Sequence, residues 1–212
     1  MQNTEVQLKT PNLLSARELK RDPIHESKWL RLKLITYLHA TGTEKTWEVV
    51  ERTTTPQVNY TSKDTTGFID AVEIIATLVE KNTNQRSIIL IKQYRPPIAK
   101  VCVEFPAGLI DYKNNETPEA AALRELTEEC GYTGKVISVS PVFSYEPSLT
   151  NELGCFVRVE ADPTPLHTAF DPDEFIETVI IPLSNLPNYL QECSKNGCMV
   201  DGKLLSFSMS CT

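Results

Sequence analysis

Apolar and polar residues alternate along "WLRLKLITYL" (29–38), where Trp29, Leu30, Leu32, Leu34 and Tyr37 mark a strand. After the turn-rich "ATGTEK", the segment "TWEVVERTT" predicts a second strand and hence an antiparallel hairpin. Residues 1–27 are polar and weakly patterned, and they read as a loose arm. Pro, Asn, Ser and Gly crowd residues 55–67, "TPQVNYTSKDTTG", and mark a boundary. The expected division is an N-terminal arm and β-hairpin over 1–57 and a second domain over 58–212.

The second part is rich in β-branched runs. "FIDAVEIIATLVE" (68–80) and "SIILIKQYR" (87–95) suit buried strands, and "RPP" ends the latter because proline cannot continue a ladder. "VCVEF" (101–105), "VISVSPVFSY", "GCFVRVEA" and "FIETVIIPL" predict further strands. "LSNLPNYLQEC" predicts a helix, and "DGKLLSFSMS" a short last one. Strands interspersed with few helices give an α+β class, a mixed sheet flanked by helices.

The strongest helix prediction covers about 118–130. Thr117 suits its N-cap, Pro118 its first position and Gly131 its C-terminal cap. On a wheel of about 100° per residue, Glu125, Glu128 and Glu129 share an arc of roughly 100°. Ala121 and Ala122 fall on the same side one turn earlier, and Leu123, Leu126 and Cys130 on the far side, toward a core. Carboxylates in a last turn oppose the helix dipole at roughly 0.3–1 kcal/mol each, and like charges four apart add about 0.2–0.5 kcal/mol. A hard divalent cation would remove both penalties, with the alanines leaving room for what it holds. Taken alone, such a face is usually just a solvated one.

Composition narrows the chemistry. The 212 residues carry a formal net charge of -7 with no run of Lys or Arg, which argues against a nucleic-acid groove. An acidic chain acting on an anionic substrate needs local Arg or a metal. Six cysteines, at 102, 130, 155, 193, 198 and 211, form no Cys-x-x-Cys pair and read as free thiols of a reducing compartment. No signal-like core opens the sequence and no stretch of about 18 apolar residues spans a membrane, so a cytoplasmic location is expected, with the nucleus as a second compartment.

Gly108, Glu116 and "RELTEECGY" (124–132) together resemble the Nudix box, and the chain is identified as a member of the Nudix hydrolases. Arg124, Glu125, Leu126, Glu128, Glu129, Gly131 and Tyr132 match the family pattern. Seven residues instead of five separate Gly108 from Glu116, which predicts a longer loop with the acidic register intact. "SKWLRL", "TWEVVERTT", "KQYRPP", "EFPAGLID", "SPVFSYEPSLTN" and "DPDEFIE" resemble the ADP-ribose and ADP-sugar pyrophosphatases of that family. Pro147 stands where that group has its proline, but Ser148 replaces the glycine that usually follows.

The resemblance implies the Nudix fold and Mg²⁺-dependent hydrolysis of ADP-ribose to AMP and ribose 5-phosphate, with Mn²⁺ as an alternative ion. It implies that the Ala107 carbonyl, Glu125, Glu128, Glu129 and Glu174 serve the metal, with Glu128 or Glu174 as base, and that Arg124 orients the glutamates. Glu116 would hold the loop. Trp29 and Trp47 would sandwich the adenine, and Glu48, Arg52, Arg95, Leu109 and Glu146 would contact the substrate. A homodimer with shared active sites is implied too. Each residue keeps an ordinary reading: the tryptophans as hairpin core, Arg52 as a solvated strand residue, Glu174 as a surface acid. Other nucleoside diphosphate derivatives, oxidised ones included, and a non-catalytic ADP-ribose-binding module remain as rival functions.

Overall fold

A computed structural model describes residues 12–55, 68–166 and 175–210. The boundary expected at 57/58 and the candidate Glu174 lie outside the described residues. The described residues group into two compact units, one within Met1–Phe68 and Ser144–Leu153, the other within Ile69–Phe143 and Gly154–Thr212.

The first unit is an antiparallel sheet of β1 (Arg17–Glu26), β2 (Leu30–Leu38) and β3 (Glu44–Arg52), in that order. The β2–β3 turn closes where the His39 amide donates to the Thr43 carbonyl at 2.8 Å, with Gly42 at φ 84°. β1 corrects the expectation of a loose arm. Pro23 and two register shifts, at Glu18/Lys20 and Pro23/His25, erase the alternation that would announce a strand. An edge position tolerates both, because one side of the strand needs no ladder partner. Ion pairs add to the backbone ladder that holds it: Arg21, braced by Glu18 at 2.6 Å, reaches buried Glu51 of β3, and Glu26 pairs with Arg31 of β2 at 3.0 Å. Segment 144–153 lies along β3, where the Val50 amide donates to the Leu149 carbonyl at 2.9 Å and Val50 bridges Thr150 in parallel.

The second unit holds β4 (Ala71–Val79), β5 (Arg86–Arg95), β6 (Lys100–Glu104), β7 (Ala107–Leu109), α1 (Pro118–Cys130), β8 (Gly134–Val139), β9 (Phe143–Ser144), β10 (Leu153–Ala161), β11 (Ile176–Pro182), α2 (Leu186–Lys195), β12 (Met199–Val200) and α3 (Gly202–Met209). Its mixed sheet runs β12-β6-β5-β4-β10-β8, with β11 beside β5, β7 beside β4 and β9 beside β10. β4–β10 and β6–β12 are parallel. Alternation along β5 explains the layers. Ile89 and Ile91 join Val72, Ile74, Ala121, Ala122 and Leu126 on the α1 side, whereas Ile88 and Leu90 join Phe105, Leu186, Leu190 and Leu204 on the α2–α3 side. A sheet covered on both faces requires such an uninterrupted apolar strand. The expected α+β class, a mixed sheet between helices with an N-terminal antiparallel sheet, is what the chain forms.

Candidate active site on helix α1

Helix α1 begins where the Thr117 hydroxyl accepts from the Ala120 amide at 3.3 Å, with Pro118 at its first position. It ends at Gly131, whose φ of 72° lets its amide turn back to the Leu126 and Thr127 carbonyls. Leu126 and Cys130 are buried as their spacing predicts. Ala121 and Ala122 depart from expectation: read as opening space beside the acids, they are fully buried in the core. Their small side chains instead bring the helix close to β4 and β7. At Gly108 of β7 the approach is so tight that a Cβ would collide with the Glu125 side chain.

The three acids differ in environment. Glu129 is 6% exposed, and its Oε2 accepts from the Ala107 amide at 3.0 Å. The Glu125 side chain is largely covered, while that of Glu128 stands half open. Arg124 gathers the rest: its Nη1 donates to Glu125 at 2.7 Å and Glu128 at 2.9 Å, its Nε to Glu116 at 2.8 Å, and its Nη2 to the Leu109 carbonyl at 2.9 Å. The hydrogen bond from Arg124 draws the Glu116 carboxyl below its ordinary 4.5, and Glu116 in turn raises the Arg124 guanidinium.

The two extra residues of the Gly108–Glu116 loop are taken up in a 3-10 turn, Tyr112–Asn114. Asp111 caps it through the Lys113 amide, and Asn115 leaves it at φ 53°. Glu116 then accepts from the Asp111 amide at 2.8 Å. The Tyr112 hydroxyl both accepts from the Ile69 amide and donates to the Ile69 carbonyl, each at 2.6 Å.

One guanidinium thus faces Glu116, Glu125 and Glu128, with Glu129 alongside, and the excess charge is negative. Hard carboxylate oxygens of this kind suit a divalent cation of the Mg²⁺ type, and the slot left by the missing Cβ of Gly108 houses the Glu125 carboxylate. Glu125 and Glu128 lean on Arg124 and Glu129 on Ala107, so among the described residues no three acidic, His or Cys side chains are grouped about one metal position.

Elsewhere in this unit, Arg95 at the end of β5 makes a two-pronged pair with Glu104 at 2.6–3.1 Å. Burial lowers its affinity for the proton, but the hydrogen bonds to Glu104 more than restore it. Leu109 is 38% exposed. Burial pushes the thiols of Cys102 and Cys130 up to about 12 and that of Cys155 to about 11, so these groups stay protonated at neutral pH.

In the first unit, Trp29 and Trp47 are 61% and 51% exposed, so neither is hairpin core. Trp29 occupies the bend before β2, with the Lys28 ammonium 4.4 Å from its ring centre. The Trp47 indole N–H donates to the Ser148 carbonyl at 2.9 Å. Glu48 is exposed on β3 opposite Leu34. Arg52 pairs with Glu152 at 2.7 Å, and Glu146 accepts from the Ser148 hydroxyl. The structure therefore gathers Trp47, Arg52 and Glu146 along β3 and segment 144–153. Trp29 stands apart: its carbonyl accepts from the amide of Thr53, six residues beyond Trp47 and just past the end of β3. At about 3.3 Å per residue this is roughly 20 Å.

The residues that hold the candidates, Glu104, Glu152 and Ser148, were not legible beforehand. For Glu104 a signal existed: alternation in "VCVEF" puts it on the face opposite Val103 and Phe105, where a buried strand's carboxylate needs a cation.

A family model described as the NUDIX domain matches residues 71–198. The ADP-ribose pyrophosphatase of Saccharomyces cerevisiae is 35% identical over 91% of this chain and 80% of its own length. The ADP-sugar pyrophosphatase of Mus musculus is 34% identical over 94% of this chain and 87% of its own. Among solved structures, the crystal structure of an ADP compounds hydrolase superposes with a TM-score of 0.65 over 94% of both chains at 18% identity, a likeness of fold.

Proposed function

The chain belongs to the Nudix hydrolase family, and from that membership we propose that it hydrolyses the pyrophosphate bond of ADP-ribose and related ADP-sugars, yielding AMP and ribose 5-phosphate from the former. The observation that carries the reading is the set of Glu125, Glu128 and Glu129 on one helix end beside Ala107 and Gly108, disciplined by Arg124. Glu125, Glu128 and Glu129, with the Ala107 carbonyl, are the residues that would hold Mg²⁺ or Mn²⁺. When bound, the cation neutralises the diphosphate and acidifies a water.

The chain's own residues have separate tasks. Arg124 keeps the acids in place and Glu116 keeps Arg124 in place. A carboxylate takes the proton of the attacking water as the anhydride P–O bond breaks. Glu128 is suited to this by its exposure; Glu174, the other candidate, lies outside the described residues. Arg95 and Arg52 offset phosphate charge in an acidic protein. Trp29 and Trp47 offer indole faces for the adenine.

The backbone positions of Trp29 and Trp47 in one copy lie roughly 20 Å apart, whereas two rings that bracket a base need a gap of about 7 Å. That distance supports a homodimer in which each adenine lies between Trp29 of one protomer and Trp47 of the other. No helix of the described residues is long and apolar enough to cross a membrane. The described cysteines are free, which supports a reducing, cytoplasmic setting.

The test is product analysis with Mg²⁺ across ADP-ribose, ADP-glucose, ADP-mannose and oxidised nucleoside diphosphates. AMP released most efficiently from ADP-ribose is expected. No cleavage of any ADP-sugar would refute the reading.

A further inference from the structure

Ser148 touches two candidate substrate residues at once. Its carbonyl accepts from the Trp47 indole N–H at 2.9 Å. Its hydroxyl donates to Oε1 of Glu146, and its amide stands 3.4 Å from the same oxygen. The turn that carries it is closed, because the Glu146 carbonyl accepts from the Leu149 amide at 3.0 Å and the Thr150 amide at 2.9 Å. Pro147 restricts the backbone just before Ser148. The turn is pinned to β3 through Val50, whose amide donates to the Leu149 carbonyl. Ser148 is exposed, so its hydroxyl is not there to fill a core, and a turn held at four points has no need of it for closure.

We propose that Ser148 is a positioning residue for sugar recognition: its hydroxyl fixes the Glu146 carboxylate at a set place beside the Trp47 ring, so that an adenosine diphosphate joined to a pentose is favoured over one joined to a hexose. This rests on the reading that Trp47 and Glu146 contact the substrate. The chemistry is that of a rigid acceptor. A carboxylate accepts from sugar hydroxyls, and it discriminates between sugars only if its own rotamer is not left to adjust. With Ser148 holding one oxygen, Glu146 is committed before substrate arrives. Without the hydroxyl, the side chain regains rotamers that binding must then select, and the cost falls on binding and not on the chemical step.

The experiment compares wild type, Ser148→Ala, Ser148→Thr and Glu146→Gln, the last also combined with Ser148→Ala, by steady-state kinetics with ADP-ribose and ADP-glucose. Ser148→Ala should raise the KM for ADP-ribose about fivefold, the worth of one hydrogen bond, with kcat unchanged and a smaller change for ADP-glucose. Ser148→Thr, which keeps a hydroxyl, should restore the wild-type KM. Glu146→Gln should cost less in the Ser148→Ala background than in wild type, since the two act as one unit. An unchanged KM in Ser148→Ala, equal losses for both sugars, a fall in kcat alone, or simple additivity would each overturn the proposal while leaving the hydrolase reading intact. Wild type that releases no AMP from ADP-ribose would overturn both.

Discussion

Gly108 contributes by what it lacks. The space of its missing Cβ is taken by the Glu125 side chain, so the strand residue and the helix acid are a fitted pair. Gly108→Ala should leave the fold in place, because the obstructing atoms belong to a side chain that can swing aside, but it should displace Glu125, a proposed metal donor. The Mg²⁺ concentration for half-maximal ADP-ribose hydrolysis is expected to rise about tenfold or more, with far-UV circular dichroism unchanged. An unchanged Mg²⁺ requirement would separate Glu125 from the cation. The acids themselves were legible at this scale because a helix end with three carboxylates runs against its own dipole. The partners were less so. Wheel geometry puts Ala121 and Ala122 with the acids, but it does not reveal that a small side chain on that face serves close packing against β4 and β7. Nor does a sequence show that Arg52 and Arg95 are each tied to a glutamate, since Glu152 is 100 residues from Arg52.

Among elements, α1 followed from the sequence to its capping residues, because Thr117, Pro118 and Gly131 are chemical signals that act locally. β1 did not, since Pro23 and two register shifts break its alternation, and its ion pairs to Glu51 of β3 and Arg31 of β2 leave no period-two signal. β7 and β12, of three and two residues, are too short to show any period. The longer loop before α1 was expected to keep the acids in register, and Tyr112 shows how it is tied down: its two hydrogen bonds to Ile69 fasten the turn to the start of β4. Tyr112→Phe keeps the ring and removes both bonds. It should lower stability by about 1–3 kcal/mol, read from the urea midpoint with an unchanged slope. A midpoint equal to that of wild type would show that the loop is held by its 3-10 turn and Glu116 alone.

For the whole molecule, the formal net charge of -7 means that an anionic substrate needs local cations to receive it. In the proposed homodimer, each copy contributes Trp29 to one clamp and Trp47 to the other. Sedimentation at micromolar protein should show a dimer, and Trp29→Ala mixed with Trp47→Ala should recover part of the substrate affinity that each loses alone. A monomer, or no recovery on mixing, would contradict shared clamps. The measurement that bears most directly on the central claim is AMP release from ADP-ribose in Mg²⁺ by wild type and by Glu129→Gln, whose buried carboxylate sits at the junction of α1 and β7. Hydrolysis by wild type and a loss of about a hundredfold or more in the variant are predicted, with both proteins folded. Equal AMP release by the two would contradict the assignment of the acidic end of α1 as the catalytic centre.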